Sequence, residues 1–334
     1  MKHRTIILLM ATIVTMTLSI SAGHAHHKDG HNNNGNGNGN GNGNGNGNGN
    51  GNGNGNTTAP VLGLQTGEAV GSVVETIGNL ETALNNIGPI SIVAQIDHQA
   101  NAAANGLELR PTSVTLFGNP NLGTPLMQIN QLAGLDLPQK IVAWEDRKGQ
   151  TQVAYNSAEY LSARHGVAAA EPQLTTIAGA LANLSSVAAG QEFAPGKVKA
   201  PEFREGIIVV PSANDMDTTA NNLRNAIVRA APLTLVTEVD HSANADRVGL
   251  KLMPTLLFIF GNPNLGTPLL QTKQTIGIDL PQKMLIFEND DGVFIAYNDP
   301  AFLAARHRIR GQDEILTTIT NALAGLAAGA AAVH

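Results

Sequence analysis

The chain has 334 residues, with 20 Lys and Arg, 26 Asp and Glu, and no Cys. Its formal net charge of -6 and the absence of a basic run argue against nucleic-acid binding, which requires clustered cations to neutralise phosphates. The lack of Cys excludes disulfides, thiol catalysis, thiolate metal sites and a lipoprotein anchor. A hydrophobic content of 42% is enough for a buried core, and the length corresponds to about two domains.

Residues 1–25 have the pattern of a secretory signal peptide. Lys2 and Arg4 precede an apolar run from Thr5 to Ile20, and small residues surround a cleavage point after Ala25. Removing this segment leaves 18 Lys and Arg against 26 Asp and Glu, a net charge of 18 − 26 = −8. An uncleaved membrane anchor is the alternative. We expect a periplasmic or secreted protein with no stable membrane insertion after signal cleavage.

Residues 26–59 form a histidine-rich leader followed by a repeat. His26, His27 and His31, together with a new amino terminus, are candidate ligands for copper, nickel or zinc. A polar leader without a metal is the alternative. Residues 35–56 are eleven consecutive Gly-Asn pairs, which have no apolar surface to offset the entropy lost on ordering. We predict a disordered tether here, spanning about 25 Å r.m.s..

The remaining chain is one domain present twice. Asp97-His98 returns 143 residues later as Asp240-His241, and Phe117–Leu126 returns unchanged as Phe260–Leu269. A period this long exceeds that of solenoid repeats and indicates a duplicated globular domain. The predicted parts are a first copy at 60–190, a linker at 191–202 and a second copy at 203–331.

Hydrophobic periodicity and turn residues predict the elements of the second copy. The predicted strands are Ile207–Val210, Leu233–Val239, Leu256–Phe260, Lys283–Glu288 and Val293–Tyr297. The predicted helices are Asp217–Ala230, a short helix from Ser242, one that begins near Asn264–Thr267, Pro300–His307 and Gln312–Ala328. The first copy follows the same plan, with its first strand near Val61–Leu64. A hairpin combined with helical crossovers predicts an α+β fold with a mixed or antiparallel sheet and packed helices.

Identity between the copies is uneven. Residues 72–96 and 215–239 share 6 of 25 positions, whereas residues 97–140 and 240–283 share 28 of 44. The sequences of the first pair of segments have diverged, as those of core segments can when the total side-chain volume is preserved. The second retains polar residues and glycines, so something besides apolar packing constrains it.

The shared motifs resemble those of the bacterial domain of unknown function 302 family, and the resemblance covers both copies. In the first copy they are Asp97-His98 with Asn101, Phe117-Gly118-Asn119-Pro120, Leu122–Leu126, Asp136-Leu137-Pro138, Tyr155-Asn156 and Ala163-Arg164-His165. The resemblance implies small α+β domains that form dimers and have no established activity. That family usually presents one such domain, so this tandem chain would correspond to a covalent dimer whose two copies pair.

The repeated block supplies the candidate ligand-binding residues. The loop from Gly118 to Pro125 is expected to aim backbone N–H groups at a ligand oxygen, especially if Thr124 caps a helix. A tight connection kept for its turn geometry is the alternative. The candidates are His98, Asn119, Thr124, Lys140, Tyr155 and His165 in the first copy, with His241, Asn262, Thr267, Lys283, Tyr297 and His307 in the second.

Each candidate also has a purely structural interpretation. Asp97 is expected to cap the next helix with His98 packed beside it, and His165 suits a helix C-terminus. Lys140 and Tyr155 are equally explained as a solvated strand residue and a core aromatic. A metal site formed by His98 and His165 has no known zinc-motif spacing.

Three functions are compatible with these residues. The first is a module that binds a small polar or anionic ligand at a pocket repeated in each copy. The second is a histidine-based metal-dependent or hydrolytic enzyme, which is disfavoured because Gly-x-Ser-x-Gly and His-Glu-x-x-His motifs are absent. The third is an interaction module whose repeated block forms the interface between the copies. The sequence predicts no particular cofactor.

Overall fold

The computed structural model describes residues 60–333, so the predicted signal peptide, the candidates His26, His27 and His31, and the Gly-Asn tether lie outside the described residues. The first copy contains β1 (Leu64–Glu68), α1 (Val73–Asn85), β2 (Ser91–Asp97), α2 (His98–Ala104), β3 (Thr112–Gly118), α3 (Pro120–Ile129), β4 (Gln139–Glu145), β5 (Thr151–Asn156), α4 (Ala158–His165) and α5 (Glu171–Ala189). The second contains β6 (Ile207–Ser212), α6 (Met216–Arg229), β7 (Thr234–Asp240), α7 (His241–Arg247), β8 (Thr255–Gly261), α8 (Pro263–Thr272), β9 (Gln282–Asn289), β10 (Gly292–Asn298), α9 (Pro300–His307) and α10 (Asp313–Ala331).

Each copy forms one five-stranded antiparallel sheet. The strand orders are β1-β5-β4-β3-β2 and β6-β10-β9-β8-β7, which are equivalent under the repeat. The edge strand β1 pairs with β5 with Leu64 opposite Asn156, and β6 pairs with β10 with Ile207 opposite Asn298. The predicted α+β class is confirmed, and the sheets are antiparallel rather than mixed.

One face of each sheet is covered by the helices of its own copy. Strand residues alternate between the two faces, so Ile141 and Ala143 pack with α1 and α5 while Val142 and Trp144 point to the opposite side. Helices α6 and α10 contribute to the equivalent core of the second copy. No helix within residues 60–333 combines the length and apolarity needed to cross a bilayer.

The other faces of the two sheets contact each other. A single buried apolar cluster contains Val114 and Val142 from the first copy and Leu257 and Leu285 from the second. Two 3-10 helices, Gln131–Leu135 and Gln274–Ile278, each extend from one copy toward the strands of the other. Each carries a glutamine that crosses the boundary: Gln131 donates to Thr255 Oγ1 over 2.8 Å, and Gln274 makes the equivalent 2.8 Å bond to Thr112 Oγ1.

Several element boundaries differ from the sequence prediction for local reasons. Asp215 caps α6 by accepting from Thr218 N, where Asp217 or Thr218 was expected as the cap. Helix α7 begins at His241 because Asp240 is its N-cap. The first strand runs over Leu64–Glu68, later than the predicted Val61–Leu64, since these residues pair with β5.

The segment after α5 packs along the first copy. Phe193 is buried, and its ring centroid lies 5.4 Å from that of Tyr155. Gly63 N donates to Lys199 O over 2.8 Å, so this segment also bonds to the chain just before β1. The predicted linker therefore lies against the β1 side of the first sheet.

Candidate functional site

The repeated glycine-asparagine-proline turn starts a helix and leaves few backbone donors free. Asn119 is the N-cap of α3, its Oδ1 accepts from Asn121 N over 3.0 Å, and Pro120 has no N–H. Leu122 N and Gly123 N both donate to Asn119 O over 3.0 Å. Thr124 lies inside the helix and does not cap it, so the condition that would have favoured anion binding by this loop is not met. The first-turn N–H groups are satisfied locally, and an anion gains no free amides there.

Two grooves, each built from both copies, are placed symmetrically about the repeat. Groove A has a volume of about 680 Å³ and groove B about 450 Å³. Groove A combines the first copy's turn and α5 with β7 and α7 of the second copy, and its lining includes Asn119, Thr124, Gln139, Leu181 and His241. Groove B combines the second copy's turn and α10 with β2 and α2 of the first copy, and its lining includes His98, Asn262, Thr267, Gln282 and Leu323. Each groove thus takes its histidine from one copy and its turn from the other.

The groove histidines are buried and neutral. His241 Nε2 lies 3.3 Å from Gly134 O, whereas His98 Nε2 faces the backbone of Gly277 but is buried without a hydrogen-bond partner. Burial is the main reason that the pKa of each ring is lowered to about 4. In His241 the contact with the carbonyl oxygen selects the tautomer protonated on Nε2, which leaves Nδ1 as an acceptor. A Cβ at Gly134 would lie 3.3 Å from His241 Cδ2, so the glycine allows the ring to approach closely.

Groove A contains polar atoms that the described residues do not satisfy. Thr124 Oγ1 is buried without a hydrogen-bond partner, and so is Gln139 Nε2. Buried polar groups in native proteins are almost always hydrogen-bonded, so unpartnered ones require an explanation. Both residues line groove A, but these two atoms lie beneath its surface and are not accessible to solvent.

Lys140, His165 and their repeats belong to a different arrangement, the central charge cluster. We define it as Asp136, Lys140, Arg164 and His165 with Asp279, Lys283, Arg306 and His307. Asp136 Oδ2 accepts from Arg164 Nη1 over 2.7 Å and lies 2.8 Å from His165 Nε2. Asp279 Oδ2 contacts Arg306 Nη1 and His307 Nε2 in the same way, both over 2.7 Å. All eight residues are buried.

The two arginines connect the copies. Arg164 Nη2 donates to Asn298 Oδ1 over 2.8 Å, and Arg306 Nη2 donates to Asn156 Oδ1 over 2.7 Å. Each guanidinium also reaches a backbone carbonyl at the start of the opposite copy, Glu205 O for Arg164 and Leu62 O for Arg306, both over 3.0 Å. Each planar guanidinium thus bonds to a side chain and to a backbone carbonyl of the opposite copy, and these bonds fix the relative position of the two sheets.

Protonation within the cluster is set by burial and by the short ion pairs. Burial alone would raise the pKa of Asp279, but Arg306, the hydrogen bond from His307 and the nearby Lys283 hold it far below its usual range. Burial and the neighbouring Lys140 lower the pKa of Lys283 to about 7. Lys283 Nζ donates to Asp279 O over 3.0 Å. These cations therefore interact within the cluster and do not line either groove.

The structure separates the twelve candidates into three locations. Thr124, Asn119 and His241 meet in groove A, and His98, Asn262 and Thr267 meet in groove B. Lys140, Lys283, His165 and His307 lie in the central charge cluster, whereas Tyr155 and Tyr297 are buried in the cores of their own copies. Among residues 60–333 there is no group of three or more His, Asp or Glu arranged to hold a metal ion.

Several residues that matter in this arrangement were not among the candidates. They are Asp136, Asp279, Arg164 and Arg306 in the cluster, Asn156 and Asn298 opposite the arginines, and Gln139 in groove A. All of them recur in both copies, at Asp-Leu-Pro-Gln-Lys, Tyr-Asn and Ala-Arg-His. The repeated polar residues were the available signal, but their contact partners lie in the other copy.

Comparison with family models identifies the domain of both copies and leaves the activity open. A family model described as "Domain of unknown function DUF302" matches residues 66–184 and 208–326. A solved structure described as an uncharacterized conserved protein DUF302 from Bacillus stearothermophilus is 17% identical, with a TM-score of 0.35, and the match covers 38% of this chain and 98% of that one.

Curated relatives match over part of their length. Proteins named "Fluoride-specific ion channel FluC 1" from Brucella suis biovar 1 (strain 1330) and Brucella abortus biovar 1 (strain 9-941) are each 37% identical over 148 residues. The match covers 43% of this chain, 58% of the first relative and 54% of the second. The chain therefore spans little more than half the length of these relatives.

Proposed function

Since this chain belongs to the DUF302 family and carries two copies of its domain, we propose that it is a binding protein. In this proposal the copies pair with each other and hold a small amphipathic molecule in each of grooves A and B. Export to the periplasm or the medium is part of the same proposal and rests on the pattern of residues 1–25. The mass of the mature protein tests it, because cleavage after Ala25 removes that segment.

One observation carries the binding proposal: the two grooves have nearly the same lining, pair by pair. The turns contribute Asn119 and Asn262, and Thr124 and Thr267. The last helices, α5 and α10, contribute further identical pairs, Ile177 with Ile319, Ala180 with Ala322, Leu181 with Leu323 and Leu184 with Leu326. Core packing tolerates exchange of apolar residues, as residues 72–96 and 215–239 show. Retention of both polar and apolar lining residues favours a common ligand geometry.

The chemistry of the lining indicates the class of ligand. Leucine and isoleucine side chains from the last helix form one wall, and a few hydrogen-bonding groups face it. Asn119 and Gln139 contribute amide groups to groove A, and the neutral ring of His241 offers an acceptor at Nδ1. Pockets of several hundred Å³ with this mixture are typical of small-molecule sites. An apolar body with a hydrogen-bonding end fits such a lining.

A fluorescent apolar probe tests this function. N-phenylnaphthylamine, a neutral probe that brightens in apolar sites, is expected to bind the full chain with a stoichiometry of two. Ala180→Trp fills groove A and Ala322→Trp fills groove B, so each is expected to remove one site. Asn183→Trp and Ala324→Trp are matched controls, because these residues are exposed on the same helices and do not line a groove. Binding that is absent, or equal in all four variants, would refute the proposal.

The pairing of the copies has its own test. Gln131 belongs to the first copy, but its side chain donates to Thr255 Oγ1 and to Glu288 O of the second. Gln131→Ala is therefore expected to speed hydrogen exchange of backbone amides in β8 and β9. Urea denaturation of the unmodified chain is expected to show one cooperative transition. Two separate transitions, or an effect of Gln131→Ala confined to the first copy, would contradict pairing.

A further inference from the structure

Grooves A and B differ in charge at one wall. Arg247 lines groove A, and the equivalent position of the first copy is Ala104, at the end of α2. Groove A also includes Glu238 where groove B has Gln95. Most other lining positions are identical, so these two differences are the main chemical distinction between the grooves.

The added negative charge in groove A is already balanced. Arg224, which does not line the groove, binds Glu238 with both guanidinium branches, Nε to Oε1 over 2.6 Å and Nη2 to Oε2 over 2.7 Å. Asp240 lines groove A and its equivalent, Asp97, lines groove B, and each caps the helix that follows it. The charge difference between the grooves is therefore that of Arg247.

Arg247 itself is exposed and available to a ligand. Its Nη1 donates to Asn244 Oδ1 over 3.0 Å, and no carboxylate within residues 60–333 lies within salt-bridge distance of it. Asn244 also lines groove A, so the bond holds the guanidinium at the groove wall. A guanidinium with free N–H groups beside an apolar groove is suited to a carboxylate or sulfonate at the end of an apolar body.

We propose that the grooves have diverged in specificity: groove A selects amphipathic molecules with an anionic end, through Arg247, and groove B takes their uncharged counterparts. This inference rests on the proposed binding function. It assigns Arg247 as a specificity-determining residue and gives the two copies different ligands.

Two probes with the same ring system separate the proposals. Anilinonaphthalene sulfonate carries an anionic group, and N-phenylnaphthylamine lacks it. With Ala322→Trp only groove A stays open, and with Ala180→Trp only groove B. The sulfonate is expected to bind groove A about threefold to fivefold more tightly than groove B, the upper part of the range that an exposed ion pair contributes. Added salt is expected to reduce this preference.

Exchange of one residue completes the test. Arg247→Ala is expected to abolish the sulfonate preference of groove A and to leave the neutral probe unchanged. Ala104→Arg, which places the arginine beside the equivalent Asn101, is expected to create the preference in groove B. Arg229→Ala controls for surface charge, because Arg229 is exposed and lines neither groove.

The outcomes distinguish the two proposals. Equal sulfonate affinity of both grooves, or no response to Arg247→Ala, overturns the specificity inference while the neutral probe still reports two sites. Failure of the neutral probe to bind at the grooves overturns the binding function, and the inference with it.

Discussion

Replacing Asp279 by asparagine removes a buried negative charge from the central charge cluster with little change in shape. The carboxylate contacts Arg306 Nη1 and His307 Nε2, both over 2.7 Å, and neither Asp279 nor Arg306 is accessible to solvent at its side chain. Breaking a buried ion pair by removing one partner costs about 3–5 kcal/mol. Arg306 keeps neutral acceptors at Asn156 Oδ1 and Leu62 O, so we expect a loss near the lower end, about 3 kcal/mol.

Urea denaturation followed by far-ultraviolet circular dichroism measures this loss. Asp246→Asn is the matched control, because Asp246 also lies 2.8 Å from a cation, Lys251, but both side chains are largely exposed. We expect no measurable effect there, since an exposed pair contributes little. A loss for Asp279→Asn as small as that of the control would refute the assignment of Arg306 and Asp279 as a stabilising buried pair.

The pH dependence of this difference is also fixed by the pKa of Asp279. The folded-state pKa lies far below the usual value of 3.8, so the contribution is fully present above about pH 4 and is lost only as the pH falls through the lower folded value. The gap between the unmodified chain and Asp279→Asn is therefore not expected to narrow from neutral pH down to about pH 4, and the further lowering of the Lys283 pKa without this carboxylate is expected to widen it. A gap that already closes between pH 7 and 5 would contradict the depressed pKa.

The remaining predictions concern the groove histidines and one glycine. Because burial lowers the pKa of His98 and His241 from 6.5 to about 4, the unfolded chain binds protons first as the pH falls. Stability is expected to be unaffected by these residues above pH 6.5 and to fall between pH 6.5 and 4, by about 3 kcal/mol for each ring. His98→Gln with His241→Gln should flatten this part of the urea-midpoint profile, and an unchanged slope would exclude buried neutral rings. Gly63→Ala should destabilise the protein by at least about 2 kcal/mol more than Gly149→Ala. Both glycines have positive φ, but only a Cβ at Gly63 would overlap a ring, that of Tyr160. Equal thermal melting of the two variants would contradict this packing.

The sequence by itself determined the duplication, the order of elements and the capping of the short helices. Asp97 and Asp240 precede alanine-rich segments at the ends of strands, and both are N-caps in the structure. These features depend on residues close together in the chain, for which turn and capping preferences are local. The antiparallel pairing of β4 with β5 likewise follows from a short connection between alternating segments.

Only the tertiary structure decided which repeated polar residues line a groove and which are buried between the sheets. Period-two alternation places Lys140 on the same face as Val142 and Trp144, but the sequence does not say that a second sheet covers that face. His98 lines the same groove as Asn262, which is 164 positions away in the chain, and Arg306 binds Asn156, which is 150 positions away. Such contacts depend on how two surfaces fit together, and they have no periodic signature in the chain. A repeated His, Lys or Arg therefore indicates that a position is constrained. The packing of the two copies decides whether the constraint is a groove or a buried ion pair.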